Sequence, residues 1–252
     1  MDAQMFCFQC QETAKGTGCT IKGVCGKEAS TSNYQDLLLG VVRGVATIDR
    51  AIRKNGAQSV AGVDSYFVDA LFACITNANF DDASILNRVD KGIALKKQLL
   101  AIAKEHNVEL PNYHEIVWGG EKADYEAQSR KESVLRNENE DLRSLKELIV
   151  LGLKGMAAYY EHAGRLGYTD NTITDFMGDA LAIIANPDAP MDQLLNCVLD
   201  TGKWGVTAMA LLDKANSTTY GHPEITKVNI GVGKNPGILI SGHDLHDIED
   251  LL

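Results

Sequence analysis

The chain has 252 residues, 45% of them hydrophobic, so it can bury a substantial core, and its length suggests one or two domains. Its net charge of −10 and the absence of a basic stripe argue against nucleic acid and anionic membrane surfaces as partners. The sequence contains no apolar run of about 18 residues and no basic, apolar leader, so we expect a cytoplasmic protein without a membrane span.

Four of the six cysteines lie within the first 25 residues in the pattern C-x2-C-x8-C-x5-C, at Cys7, Cys10, Cys19 and Cys25. Four thiolates that converge repel each other, so such a group persists only when a cation or a covalent bond compensates the charge. Glycines flank the second pair and let backbone N–H groups point inward, where they stabilise the negative charge of an iron–sulfur cluster. The pattern therefore favours a cubane [4Fe–4S] cluster.

Two other interpretations of the cysteine loop stay open. Zinc sites are usually built from two C-x2-4-C pairs, whereas five residues separate Cys19 from Cys25. Disulfides or free thiols are the plainest alternative, although six cysteines in a cytoplasmic chain point to metal or redox chemistry.

The same residues carry a resemblance to a known family. The run MFCFQCQETAKGTGCTIKGVCGK, followed by TSNYQDLLLGVVRG, resembles the opening of the hybrid cluster proteins, also called prismane proteins or hydroxylamine reductases. In that family these four cysteines hold a cubane cluster, so the resemblance implies that Cys7, Cys10, Cys19 and Cys25 do so here. The Ni-containing carbon monoxide dehydrogenases are more distant relatives with a different cysteine arrangement.

Apolar residues at helical spacing predict a first set of three helices after the cysteine loop. Ser32 and Gln35 match a capping box that opens the first helix, and Asp64 is predicted to cap the second. The third is predicted from about Ala83 to His106. Residues from Asn107 to about Lys131 show no clean period and are predicted to form a long connection.

A second set of helices is predicted from near Glu138, and its residues resemble the first set. Residues 36–46 align without gaps on residues 147–157, and later matches keep an offset of about 110 residues, as in a duplicated unit. We therefore predict two three-helix bundles, although binary patterning alone reproduces the apolar positions. The aligned Gly44 and Gly155 are predicted to mark close helix contacts, since glycine inside a helix costs about 1 kcal/mol relative to alanine.

The character of the sequence changes at the turn signal Tyr220-Gly221-His222-Pro223. Two short β-branched runs, 227–232 and 237–241, and an acidic amphipathic stretch from Asp244 to Leu252 predict the start of an α/β, Rossmann-like domain. One such unit cannot bury both faces of a parallel sheet, so the chain is expected to be truncated. The predicted domains are a cysteine-rich cluster-binding loop (1–30), a helical domain of two three-helix bundles (31–222) and the beginning of an α/β domain (223–252).

His243 is the candidate ligand outside the cysteine loop. A lone histidine is more often a surface or capping residue, but ILISGHDL at 238–245 matches the family segment that supplies a histidine to the hybrid iron–sulfur–oxygen cluster. The family's other ligands to that cluster, two glutamates and further cysteines, have no counterpart here. Cys74 and Cys197 lie among apolar neighbours and are predicted to be buried structural thiols. We therefore expect no catalytic centre, and no catalytic residue, in this chain alone.

The resemblance implies an iron–sulfur oxidoreductase that reduces hydroxylamine to ammonia and water with two electrons and two protons. The cubane cluster would relay electrons from an external electron donor protein to a small nitrogen-oxide substrate at the hybrid cluster. Nitric oxide reduction by the full-length protein is one alternative. A non-enzymatic iron–sulfur electron-transfer module, or an inactive fragment, is another, and a zinc-bound structural protein is the third.

Overall fold

The computed structural model describes residues 4–75 and 78–238. They fall into two units, one that ends at Tyr220 and one that begins at Gly221. The first unit is mainly helical, as the periodicity predicts. Its described α-helices are α1 (Ala29–Lys54), α2 (Val63–Ala73), α3 (Asp82–Glu105), α4 (His114–Val117), α5 (Tyr125–Lys131), α6 (Glu140–Arg165), α7 (Asn171–Ala185) and α8 (Met191–Tyr220).

Three of the long helices begin at polar capping residues. Asp81 accepts a hydrogen bond from the Ala83 backbone N–H at the start of α3, and Asp170 does the same for Thr172 at the start of α7. At the start of α6, Asn139 accepts hydrogen bonds from two backbone N–H groups. These side chains partner N–H groups that have no acceptor within the helix.

Two predicted helix starts are wrong. The N-cap of α1 is Glu28, so Ser32 and Gln35 lie inside the helix, both buried, and do not form a capping box. The N-cap of α2 is Gly62 in a left-handed conformation (φ 87°), and Asp64 lies in the first turn instead of capping it. In both cases a tertiary contact takes the side chain: Gln35 binds a buried lysine and Asp64 binds an arginine of α1.

The connection predicted over 107–131 is partly helical, because α4 and α5 lie within it and pack on α1. Arg43 of α1 makes an ion pair of 2.7 Å with Glu132, directly after α5, and one of 3.5 Å with Glu115 of α4. Ile116 and Tyr125 of the same segment are buried in the core, but helices of four and seven residues are too short for hydrophobic periodicity to reveal.

The two sets of three long helices interlock. Helix α1 packs mainly on α3, and α6 mainly on α8, whereas α2 contacts α6 more extensively than α1, and α7 contacts α1 more extensively than α6. The first helix of each set has 26 residues. The buried apolar residues of both sets form one core cluster. The division into two three-helix bundles stays a prediction. The second helix of each set, α2 or α7, packs more on the first helix of the other set than on that of its own.

The paired glycines behave differently. A Cβ atom on Gly44 would lie 2.4 Å from the backbone oxygen of Glu115, so a side chain there would collide with α4. A Cβ atom on Gly155 would meet no described atom within 4 Å. The predicted close contact is therefore confirmed at Gly44 and wrong at Gly155.

The second unit is described up to residue 238. Helix α8 ends at Tyr220, and Gly221 follows with φ 84°. No strand is assigned over 227–232 among these residues, and Val228, Ile230 and Val232 are 75%, 95% and 101% exposed. The prediction of a strand over 227–232 is therefore wrong for the described residues. A strand needs a neighbouring strand as hydrogen-bond partner for its N–H and C=O groups.

The rest of the predicted second strand, the acidic helix from Asp244 and His243 lie outside the described residues. The start of an α/β domain therefore stays a prediction. Among the helices of the described part, none combines the length and the apolar character that crossing a membrane requires.

Candidate iron–sulfur cluster site

The cysteine loop is held together by a backbone bridge between two of its cysteines. The N–H of Cys7 donates to the carbonyl of Cys19 at 3.0 Å, and the N–H of Cys19 donates to the carbonyl of Cys7 at 2.8 Å. The Thr13 hydroxyl donates to the Cys7 carbonyl at 3.0 Å. Residues twelve positions apart in the sequence therefore lie side by side at the base of the loop.

The thiol of Cys19 is surrounded by hydrogen-bond donors. Its Sγ accepts the Ala14 N–H at 3.4 Å and lies 3.6 Å from the Thr13 hydroxyl, and the residue is buried. The hydrogen bond from Ala14, helped by the backbone of Val24, by Thr13 and by the charge of Lys27, lowers the pKa of Cys19 although burial opposes this. A thiolate is the form that ligates a metal, so the surroundings favour that state.

The other three cysteines of the loop are more accessible. Cys7 and Cys10 are half-buried and Cys25 is exposed. A Cβ atom on Gly23 would lie 3.0 Å from the Cys25 sulfur, and one on Gly18 would lie 2.6 Å from the ring of Phe6. These two glycines therefore leave the room in which the sulfur and the ring lie.

All six cysteines of the chain are free in this structure. Within residues 4–75 and 78–238, no three His, Cys, Asp or Glu side chains converge as they would on a single metal ion. A [4Fe–4S] cluster takes four thiolates around a multi-iron body instead of around one ion. Four free thiols on one loop, with N–H and O–H donors at a buried sulfur, form a donor set that fits such a cluster.

A buried lysine that the sequence did not reveal lies against the loop. Lys27 is only 2% exposed, its Nζ lies 4.0 Å from the Cys7 sulfur, and it donates to Gln35 Oε1 at 2.8 Å. Gln35 in turn donates to the Asn79 carbonyl at 3.2 Å. A positive charge this close to a thiolate compensates part of the charge on the loop. No periodic pattern marks Lys27 as buried.

A second buried lysine reaches the loop from α6. Lys154 is 3% exposed and donates to Gln9 Oε1 at 2.9 Å. Asp36, Arg43 and Glu147 line the same small cleft as Gln9. The two acidic and the two basic residues occupy matching positions of the predicted repeat, so each set contributes one acid and one base. These aligned charged residues within otherwise apolar helices are the feature of the sequence that could have revealed the cleft.

Burial changes the protonation of this group. It raises the pKa of Asp36 well above its usual range, with Glu147 adding to the effect, and it lowers the pKa of Lys154. One carboxyl oxygen of Asp36 has no hydrogen-bond partner among the described residues. Buried charges are costly unless paired, so the cleft beside the loop holds ionisable groups whose charges depend on one another.

The remaining cysteines lie apart from the loop on or beside helices. Cys74 and Cys197 are buried, and burial raises the pKa of each thiol to about 11. Both are therefore protonated and shielded at neutral pH, which confirms the prediction of buried cysteines. The structure does not describe His243, so its assignment as a ligand stays a prediction.

Comparison with known proteins identifies the family. The sequence profile of the Prismane/CO dehydrogenase family matches residues 5–252. The chain belongs to this family. Relatives of this prismane-family chain that are named hydroxylamine reductase occur in Desulfitobacterium hafniense (strain Y51, 55% identical over 98% of this chain and 46% of the relative) and Bacteroides fragilis (strain YCH46, 53% over 98% and 45%). Another occurs in Porphyromonas gingivalis (strain W83, 50% over 100% and 46%). The prismane-family chain thus spans about half the length of these relatives.

Proposed function

We propose that this chain carries the electron-relay part of an iron–sulfur oxidoreductase of the hydroxylamine reductase type. Cys7, Cys10, Cys19 and Cys25 hold a [4Fe–4S] cluster, which accepts and passes on single electrons when bound. The observation that carries the proposal is the loop itself: four free thiols, two of them joined by a backbone bridge, with hydrogen-bond donors on the buried sulfur.

The surroundings of the loop support a redox role over a purely structural one. Lys27 supplies a buried positive charge 4.0 Å from the Cys7 sulfur, and Lys154 binds the loop residue Gln9 from α6. Positive charge and hydrogen bonds near the sulfurs make the addition of an electron easier. Cys25 is exposed, so an external electron donor protein can approach the loop from that side.

The substrate and the reaction rest on the family and on the names of the relatives. We propose that the longer protein reduces hydroxylamine to ammonia and water, with nitric oxide as an alternative substrate, and that His243 ligates its hybrid cluster. Because this chain spans about half of such relatives, we propose that it is inactive by itself. The alternative, an electron-transfer module without enzymatic activity, draws on the same observation.

Iron, zinc and acid-labile sulfide per chain, together with a visible spectrum, test the cluster on protein purified without oxygen. We expect about four irons and four sulfides and a brown colour. Serine replacements at Cys7, Cys10 and Cys19 should each lower the iron content. Cys197→Ser is the matched control, because it removes a buried thiol on α8 that contacts no described residue of the loop site, and it should keep the full iron content.

Zinc without iron would overturn the redox proposal, and so would an iron content unchanged by the three loop replacements. Appreciably more than four irons would show that this chain holds a second centre. A hydroxylamine assay with a chemical reductant then separates relay from enzyme, with a full-length relative as the active control. Hydroxylamine reduction by this chain alone would refute the proposal that it is only the relay part.

A further inference from the structure

A cavity of about 370 Å³ lies between α1, α4, α6 and the end of α7, and it shares Arg43, Val134 and Glu147 with the small cleft beside the cysteine loop. Its lining contains five lysines and arginines but only three glutamates, in a chain whose net charge is −10. The basic residues are Arg43, Lys131, Arg136, Arg143 and Lys146. Five of its sixteen lining residues are apolar and the others are polar or charged, and a cavity of this size that offers both kinds of group can hold a small molecule.

Two of the five positive charges are already compensated. Arg43 pairs with Glu132 at 2.7 Å, and Arg136 pairs with Glu115 at 2.6 Å and with Glu132 at 2.8 Å. These buried ion pairs form one wall of the cavity and fix the position of both guanidinium groups. Glu115 and Glu132 are both used in these pairs and therefore do not compensate the basic residues on the opposite side of the cavity.

Arg143 and Lys146 face the cavity from α6 with carbonyl partners only. Arg143 donates to the Asn137 carbonyl at 3.0 Å, and Lys146 donates to the Asn186 carbonyl at 2.6 Å. No ion pair of either residue is found in the part of the chain that the structure describes, although Glu138 and Glu147 also line the cavity and Glu147 interacts electrostatically with Arg143. The two residues are three positions apart on one helix and therefore share a face. Lys146 is only 9% exposed, so water compensates little of its charge.

The wall next to this basic pair is apolar. Val150 follows Lys146 by one helical turn, and Ile184 and Pro187 come from the end of α7 and the loop after it. A ligand with a charged group and a short hydrocarbon part would place the first on the basic pair and the second on this wall.

We propose that this cavity binds a small organic oxyanion, a carboxylate or a phosphate ester, whose charged group is held by Arg143 and Lys146. The hydrocarbon part of the ligand lies on Val150 and Ile184. None of the lining residues belongs to the cysteine loop, so we expect the anion to bind whether or not a cluster is bound there.

The electrostatics of Lys146 support this assignment. Burial lowers the pKa of Lys146 to about 8, with further lowering by Arg136 and Arg43, while Glu115 and Asp188 act in the opposite direction. A bound anion stabilises the charged lysine and raises its pKa. Binding near pH 8 to 9 should therefore be accompanied by proton uptake.

Isothermal titration of the whole chain with butyrate and with butyl phosphate tests the proposal, and butylamine, which has the same butyl group as butyl phosphate, serves as the cationic probe. We expect saturable binding of at least one anion and none of the amine. Tighter butyrate would identify a carboxylate ligand, and tighter butyl phosphate a phosphate ester. Arg143→Gln and Lys146→Gln should each weaken the tighter anion about tenfold, since a hydrogen bond to a charged group contributes roughly 1.5 kcal/mol or more.

Lys203→Gln is the matched control, because Lys203 is an exposed lysine on α8 outside the cavity lining. This variant should bind the tighter anion with the affinity of the wild type. At pH 8.5 the heat of binding should depend on the ionisation enthalpy of the buffer in the wild type but not in Lys146→Gln. Circular dichroism verifies that each variant is folded, and Arg143→Gln keeps the test open if Lys146→Gln is not. Absence of saturable binding by both anions, equal binding of butylamine, or unchanged affinity in both variants would overturn the proposal. Iron content reports on the cysteine loop separately.

Discussion

Replacing the two aligned glycines by alanine should have opposite effects on stability. In each helix the change contributes about 1 kcal/mol through helix propensity. At Gly44, however, the new Cβ would lie 2.4 Å from the Glu115 carbonyl oxygen, which Lys96 Nζ holds through a hydrogen bond of 2.9 Å. Overpacking of this kind costs about 1–3 kcal/mol, and the restrained carbonyl favours the upper end. Gly44→Ala should therefore lower the free energy of unfolding by about 2 kcal/mol, whereas Gly155→Ala should raise it by up to about 1 kcal/mol.

Urea unfolding followed by far-UV circular dichroism measures both differences under the same conditions. In thermal unfolding, Gly44→Ala should lower Tm by about 4–8 °C and Gly155→Ala should raise it by about 2–4 °C. Both positions lie outside the cysteine loop, so equal iron content in the wild type and the variants serves as the control. A Gly44→Ala variant as stable as the wild type would refute the close contact, and a destabilised Gly155→Ala variant would contradict the open space beside that residue.

Three further measurements test the charges and the thiols. Lys27→Met should lower the midpoint potential of the loop cluster by on the order of 50 mV in a potentiometric titration, because the positive charge 4.0 Å from the Cys7 sulfur is lost; an unchanged potential would contradict this. Ellman's reagent should label the accessible Cys7, Cys10 and Cys25 of the folded, metal-free chain at pH 8 and leave Cys74 and Cys197 unlabelled until denaturant is added, since a pKa of about 11 leaves roughly one thiolate in a thousand. Lys146→Gln should stabilise the chain most below pH 8, since the folded-state pKa of about 8 lies below the unfolded value of 10.5, and this advantage should vanish by about pH 10.5. If the stability difference between the variant and the wild type does not change between pH 7 and pH 10, then the charge on buried Lys146 does not destabilise the folded chain.

The candidate site divides into a part that could be predicted and a part that could not. The four cysteines of the loop lie within 19 residues of one another, so their spacing alone indicates a common site. The burial of Lys27 carries no such signal, since lysine is almost never fully buried. The contact of Lys154 with Gln9 joins residues 145 positions apart, so no local pattern reveals it. The acid and base shared by the two halves were visible as aligned residues, but only their packing shows that they line one cleft with Gln9.

The helices show the same division. Periodicity predicted the bounds of α3 within one residue, and a polar cap supports its start. The prediction of a capping box at Ser32 and Gln35 was wrong, because the side chain of Gln35 accepts a hydrogen bond from the buried Lys27 instead. The strand predicted over 227–232 failed for a related reason, since its backbone has no neighbouring strand in the described part.

The amino-acid sequence by itself determined the mainly helical character, the family and the position of the cysteine loop. Periodicity, turn residues and close cysteine spacing are all patterns among residues that lie near one another in the chain. Tertiary structure alone decided that the second helices of the two sets exchange partners, that α4 approaches Gly44, and that lysines are buried beside the loop. A charged side chain can be buried only where another segment supplies its partner. That partner is defined by packing between residues far apart in the chain, which no local pattern records.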